Sequence, residues 1–192
     1  PINAILGMNE MILREEKDPA IRGYAGNIQA SGNSLLSIVS DVLDISKIES
    51  GKLEIIPVDY EVNSLISDCC NMAAGRAKAK ELELLVECAD NVPMKLCGDE
   101  THIRQIIMNL LTNAVKYTEK GTVKLIVSGR FTDGGFVLKV DVSDTGIGIP
   151  ADFIDKIFDP FERAHNSIGN KIEGTGLGRA ITKNIVDMMY GR

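Results

Sequence analysis

The chain has 192 residues, 44% apolar and 25% charged, values that exclude a wholly disordered polymer and allow one large domain or one and a fraction. Its 21 basic and 27 acidic side chains give a net charge of −6, which does not suit a general binder of nucleic-acid backbone. With no Trp and 5% aromatics, base-stacking platforms are also excluded, and no apolar run reaches the ~18 residues of a membrane span.

Asn3, Asn9 and Glu10 interrupt the first residues, so the start does not read as a signal peptide. Residues 1–50 carry a helical period. Ile2, Ile5, Leu6, Asn9, Ile12 and Leu13 recur at three- and four-residue spacing, and the helix is expected to end near Glu15–Lys17. Asp18-Pro19 is a second helix start, an N-cap acid before a Pro in the first helical position. Ile21, Ile28, Leu35 and Val42 then fall seven apart, as do Tyr24, Ser31, Ile38 and Ile45. This a/d seam predicts a helical hairpin that pairs with a second copy into a dimeric four-helix bundle. The alternative packs the same stripe on the rest of the chain.

Ser50-Gly51 closes the long helix, and the boundary is placed between residues 1–52 and 53–192. Lys52–Val58 reads as a connecting strand, Asn63–Lys80 as helix, Leu82–Glu87 as strand and Asp99–Thr118 as helix. Thr122–Phe131 and Phe136–Val142 alternate as strands about the turn Thr132-Asp133-Gly134-Gly135. Two further helices start near Pro150 and near Leu177. The pattern predicts an α+β fold, with a mixed sheet covered by helices on one face.

Cys69, Cys70, Cys88 and Cys97 form no CxxC pair and no zinc spacing. They read as buried or half-buried thiols of a reducing compartment. His102 and His165 lack any metal or triad spacing and read as surface or structural residues.

Two glycine clusters remain, Asp144-Thr145-Gly146-Ile147-Gly148-Ile149-Pro150 and Gly174-Thr175-Gly176-Leu177-Gly178. Such glycines let backbone N–H groups approach a ligand closely. A P-loop is excluded because Thr175 stands where its Lys is required. A dinucleotide fingerprint is excluded because Pro150 interrupts it and the preceding strand belongs to a hairpin. HRD, VAIK and DFG elements are absent, which excludes a Ser/Thr/Tyr-type kinase. The helix at 99–118 adds a third element: Asn109, Asn113 and Lys116 share one face at i, i+4 and i+7, and buried amides need partners.

Taken in order, these elements resemble the sensor histidine kinases, whose ATP-binding fold is shared with type II topoisomerases and heat-shock chaperones. NLLTNAVKYT (Asn109–Thr118) resembles the N box, DTGIGIP (Asp144–Pro150) the G1 box, FDPFER (Phe158–Arg163) the F box and GTGLG (Gly174–Gly178) the G2 box. PINAILG and DVLDISKIESGKLE (Asp41–Glu54) resemble the dimerization and histidine-phosphotransfer helices.

The resemblance implies Mg²⁺ and ATP as ligands. A buried Asp144 carboxylate would accept from the adenine amine, with Gly146, Gly148 and Ile149 beside the base. Asn113 would place a neutral amide oxygen on Mg²⁺. Lys116 would lie near the phosphates and Tyr117 near the base or ribose. Gly174, Thr175, Gly176, Leu177 and Gly178 would line the β- and γ-phosphates. Arg163 would reach the γ-phosphate from a lid spanning residues 159–173, whose first end Phe158 and Phe161 would anchor.

Asn109 stands where hydrolytic relatives carry a Glu. An amide has no usable basicity, so it would orient a ligand rather than activate water. The phosphoryl would pass to a histidine and then to the aspartate of a response-regulator receiver. The resemblance places that histidine a few residues before Pro1, so this chain is expected to bind ATP without phosphorylating itself. Arg179, which departs from the family pattern, is expected to point to solvent, the alternative being an added contact beside the phosphates at the helix N-terminus. The expected setting is cytoplasmic, on its own or as part of a membrane-anchored parent, with no membrane contact by this segment. An ATPase or clamp of the same superfamily and a degenerate nucleotide-binding scaffold are the alternatives.

Overall fold

The computed structural model describes residues 1–162 and 175–192. The chain divides into two compact units, Pro1–Leu53 and Glu54–Arg192.

The first unit is a hairpin of α1 (Ile2–Glu15) and α2 (Pro19–Glu49). Its turn is built from side chain to backbone. Glu16 Oε1 accepts from the N–H groups of Lys17 (2.7 Å) and Asp18 (2.9 Å), and Asp18 Oδ1 accepts from Ala20 N–H at 2.8 Å. Arg22 Nη1 donates to the Leu13 and Glu16 carbonyls at the end of α1, which satisfies acceptors that a helix terminus leaves open.

The two helices meet on small residues. Leu6 and Ala25 are buried, and Leu6 lies so close to Gly32 that a Cβ there would collide with it. Buried Asn9 donates to the Ala25 carbonyl (2.8 Å) and to Gln29 Oε1 (2.9 Å). The heptad seam is a different stripe. Ile21, Ile28, Leu35, Ile38 and Val42 remain 41–48% exposed.

In the second unit, β1 (Val58–Glu61) leads into α3 (Val62–Ala79), followed by β2 (Glu83–Cys88), β3 (Lys95–Gly98) and α4 (Glu100–Tyr117). The hairpin of β4 (Thr122–Thr132) and β5 (Gly135–Asp144) comes next, then a 3₁₀ helix (Ala151–Lys156) and α5 (Gly178–Met188). β2, β4 and β5 form a mixed sheet, parallel between β2 and β4 and antiparallel between β4 and β5. β1 and β3 form a separate antiparallel pair.

One face of the sheet carries the core. Val123, Leu125 and Val127 of β4 are buried at alternate positions, as the pleat requires. They pack against Val62, Leu65, Cys69 and Ala73 of α3 and Ile107, Leu111, Ala114 and Val115 of α4. α5 buries Ala180, Ile181 and Ile185 and lies alongside α4. α4 is therefore the central helix, with the sheet, α3 and α5 around it.

Several expectations are corrected. Lys52–Val58 is not a strand: pairing begins only at Val58, opposite Gly98, and Ile56 N–H donates instead to Asp99 Oδ2 at 2.8 Å. The segment near Pro150 is a six-residue 3₁₀ turn with Phe153 as its one buried residue, too short an apolar stripe to hold an α-helix. Cys69 is buried and Cys70 half-buried, but Cys88 and Cys97 are exposed. Burial pushes the Cys69 thiol up to about 11, which makes it a packing group rather than a nucleophile. His102 is structural: its backbone N–H donates to Asp99 Oδ1 (3.0 Å), and its Nδ1 lies 2.7 Å from Asp99 Oδ2. Among the described residues, no helix is long and apolar enough to cross a membrane.

Candidate functional site

The stripe of α4 that faces away from the core holds Asn109, Asn113, Lys116 and Tyr117, all half-buried. At its first end, Asn109 Nδ2 donates to the Gly178 carbonyl (3.2 Å) and to Thr182 Oγ1 (3.3 Å). A Cβ on Gly178 would stand 3.5 Å from the Asn109 amide, so the start of α5 rests directly on that residue.

Two turns later the stripe meets the other glycine cluster. Ile147 N–H donates to the Tyr117 carbonyl at 3.3 Å. Gly146 lies so close to the same oxygen that any side-chain carbon would collide with it. Eight residues separate the two contacts, about 12 Å along the helix axis. Asn113 sits midway, and its amide makes no hydrogen bond with any described residue, a donor–acceptor pair left for something else.

The wall at the Tyr117 end begins where β5 stops. Asp144 is exposed, not the buried carboxylate expected, because it is the last residue of its strand. Its Oδ1 accepts from Gly146 N–H at 2.9 Å, which folds the turn back on itself. Its Oδ2 has no hydrogen-bond partner among the described residues. Thr145, which carries no spacing signal of its own, braces the turn: its Oγ1 accepts from Thr122 N–H at 3.0 Å. Gly148 has φ +70°, a conformation that excludes most side chains. Ile147 and Ile149 are exposed beside it.

The wall at the Asn109 end is formed by Thr175–Gly178. Thr175 Oγ1 accepts from Leu177 N–H (3.1 Å), and Leu177 is buried as a plug beneath the loop. Gly176 has φ +74°, and a Cβ there would lie 3.0 Å from the Phe161 backbone. Among the described residues, no side chain caps α5, whose N-cap is Leu177. Its first-turn N–H groups and the positive end of its dipole lie beside Asn109, an arrangement that can receive an anion.

Arg163, Gly174 and most of the expected lid lie outside the described residues, as does His165. Phe158 and Phe161 do not anchor that segment by burial, since they are 48% and 67% exposed. The buried phenylalanine is Phe153, and Arg179 is half-buried rather than solvent-facing. Its guanidinium lies over the Phe153 ring at 5.4 Å, where a flat cation gains more than it would in water. Lys116 Nζ lies 5.1 Å from the Tyr117 ring centre, so these two neighbours form one amphipathic surface at the end of the stripe. Among the described residues, no group of three His, Cys, Asp or Glu could hold a metal ion. A metal here would depend on neutral oxygen such as that of Asn113 and on the ligand's own oxygens.

Residues 98–192 match the family model described as histidine kinase-, DNA gyrase B- and HSP90-like ATPase. Residues 1–51 match the His Kinase A (phospho-acceptor) domain. The chain is 41% identical over 194 residues to the sensory/regulatory protein RpfC of Xanthomonas campestris pv. campestris, covering 100% of this chain and 27% of RpfC. It is 36% identical to the signal transduction histidine-protein kinase BarA of Escherichia coli K12, covering 100% of this chain and 21% of BarA. It thus spans about a quarter of the length of these curated relatives. Among solved structures, full-length ShkA in complex with AMPPNP superposes with a TM-score of 0.76 at 30% identity, over 99% of this chain and 38% of ShkA. Histidine kinase ThkA in complex with the response regulator TrrA shares the fold, with a TM-score of 0.62 at 23% identity, over 99% of this chain and 52% of that one.

Proposed function

The chain belongs to the sensor histidine kinases, joining a His Kinase A segment to the ATPase fold that family uses, and from that premise we propose that the trough over α4 binds ATP with Mg²⁺ for phosphoryl transfer to a histidine. The observation that carries this reading is the arrangement on one helix. A glycine turn bearing a carboxylate sits at Tyr117, the N-terminus of α5 sits at Asn109, and between them lies the Asn113 amide, which bonds to no described residue.

Each end suits one end of a nucleotide. Asp144 Oδ2 would accept from the adenine amine, and the absence of a side chain at Gly146 leaves room for the base beside Tyr117. The α5 N-terminus, with Gly176 and Gly178, would donate backbone N–H groups to the β- and γ-phosphates. Asn113 would hold the metal through a neutral oxygen, which adds no negative charge beside the phosphates. Mg²⁺, when bound, neutralises phosphate charge as the phosphoryl group departs. Gly174, Thr175 and Arg163 belong to the same proposal at the phosphate end; Gly148, Ile149 and Lys116 line the rest.

Asn109 has a defined task. Its Nδ2 is spent on Gly178 and Thr182, and an amide cannot remove a proton from water, so the site favours transfer to an imidazole over hydrolysis. His102 is tied to Asp99 and does not serve as that imidazole. The proposal includes a homodimer through the hairpin, whose open heptad seam would close a four-helix bundle with a second copy. It also includes a receiver domain as the next phosphoryl acceptor, and a cytoplasmic setting.

Calorimetry with Mg²⁺ and a non-hydrolysable ATP analogue tests the binding step: saturable binding that Asp144→Asn weakens is expected, and equal affinity in both proteins contradicts it. A form of the protein extended upstream of Pro1, given γ-labelled ATP, should acquire acid-labile, base-stable label. Steady release of phosphate without such label would instead favour an ATPase.

A further inference from the structure

The C-terminus of α4 is closed by a residue from another helix. Lys80, the C-cap of α3, donates from Nζ to the carbonyls of Val115 (2.9 Å), Lys116 (2.8 Å) and Thr118 (3.1 Å). A helix end leaves carbonyls without intrahelical partners, and its dipole favours a cation there. The accounting at this end is complete. The Ala114 carbonyl accepts from Thr118 N–H (3.1 Å) and Thr118 Oγ1 (2.7 Å). Lys80 takes the carbonyls of residues 115, 116 and 118. The one it skips, that of Tyr117, accepts from Ile147 N–H.

An ammonium has three protons and no acceptor, so the three contacts use it fully. Lys80 holds the carbonyls on either side of Tyr117, and the Tyr117 carbonyl between them is the seat of the Gly146–Ile147 turn. The same turn is tied to Asp144 through Gly146 N–H.

We propose that Lys80 is a positioning residue for the base end of the nucleotide site: it sets the last turn of α4, and through the Tyr117 carbonyl it places the turn that carries Asp144. This inference rests on the nucleotide reading of the trough. It separates Lys80 from an ordinary helix cap, because a cap would stabilise the domain without favouring one end of the ligand over the other.

The whole chain is compared with Lys80→Arg and Lys80→Met. Arginine keeps the charge at the helix end, but its planar fork cannot reach three diverging carbonyls at once. Lys80→Arg should melt near the parent temperature and bind the ATP analogue about tenfold more weakly, the equivalent of one charge-assisted bond. Inorganic tripolyphosphate, which meets only the phosphate end, should bind both proteins equally. The Ile147 amide should exchange with solvent about tenfold faster in the variant. Lys80→Met should show the same pattern, more strongly.

Unchanged ATP affinity in folded variants overturns the proposal, as does equal weakening of ATP and tripolyphosphate. Failure of Lys80→Arg to fold also overturns it, since the role would then be structural. If the parent chain binds no ATP, the nucleotide reading fails on its own. The placement of the turn is then decided by the Ile147 exchange rate, which must rise in Lys80→Arg for that part to stand.

Discussion

The carbonyl of Tyr117 occupies the space that a β-carbon on Gly146 would need. The end of α4 and the turn after β5 therefore share one surface, and a single methyl group would separate them. Gly146→Ala is expected to push the turn off the helix and displace Asp144. Affinity for the ATP analogue should fall by tenfold or more, about 1.4 kcal/mol, while the far end of the domain keeps its melting behaviour. Circular dichroism and calorimetry on the same sample check both halves; parental affinity in a folded Gly146→Ala protein would contradict the contact's role.

Asn113 is half-buried on the same stripe without a hydrogen bond to any described residue. Truncating it therefore strands no partner among the described residues. Asn113→Ala should fold normally, bind nucleotide in EDTA as the parent does, and lose most of the gain in affinity that Mg²⁺ confers, about tenfold. A magnesium titration at fixed nucleotide reads this directly, and an unaltered magnesium response removes Asn113 from the metal.

Asp99 links the start of α4 to the strand-free stretch before β1. Burial pushes its carboxyl up, but hydrogen bonds from Ile56 N–H and from the His102 backbone and ring outweigh this and hold it below the usual carboxylate range. A group with a lowered folded value contributes stability above its unfolded pKa, about 4, and loses it as pH falls through the folded value. The parent should exceed Asp99→Asn by about 1–3 kcal/mol at neutral pH, and the two should converge below about pH 4. Urea melts across that range measure the gap, and a gap that persists in acid would refute the assignment.

The seam on α2 predicts the assembly state. Ile28 and Leu35 are 46% and 47% exposed, on a stripe that α1 does not cover. Leu35→Glu places a charge at the centre of the proposed bundle, where it would be buried without a partner. Sedimentation should show a dimer for the parent and a monomer for the variant at the same concentration, and a dimeric variant would move the interface elsewhere.

How much of this could be read from the residues depended on whether the signal was local. Asp18-Pro19 announces a helix start through groups two residues apart, and the structure shows the bond to Ala20 N–H. The β4–β5 turn follows from Asp133-Gly134 between alternating strands. α4 was legible by period, and with it the stripe that gathers Asn109, Asn113 and Tyr117. What escaped depends on distant partners. β3 is four residues, Lys-Leu-Cys-Gly, with no alternation to mark it, and exists because β1 lies opposite. Asp144 is the last residue of β5, and nothing in its local spacing marks that the strand stops there and leaves the carboxylate open to solvent. Phe153, rather than Phe158 or Phe161, is the buried phenylalanine, and Arg179, twenty-six residues on, lies over its ring, a partner no local spacing marks. No spacing rule could have named Lys80 as the cap of α4, since the two ends meet across 35 to 38 residues.

Amide chemical-shift mapping with Mg²⁺ and a non-hydrolysable ATP analogue shows whether the two glycine clusters hold one nucleotide between them. Saturation should move the backbone signals of Gly146–Gly148 and Gly176–Gly178 together with the Asn113 side-chain amide, and leave the hairpin helices unmoved. Saturable binding that shifts only one of the two glycine clusters, or neither, would contradict that arrangement.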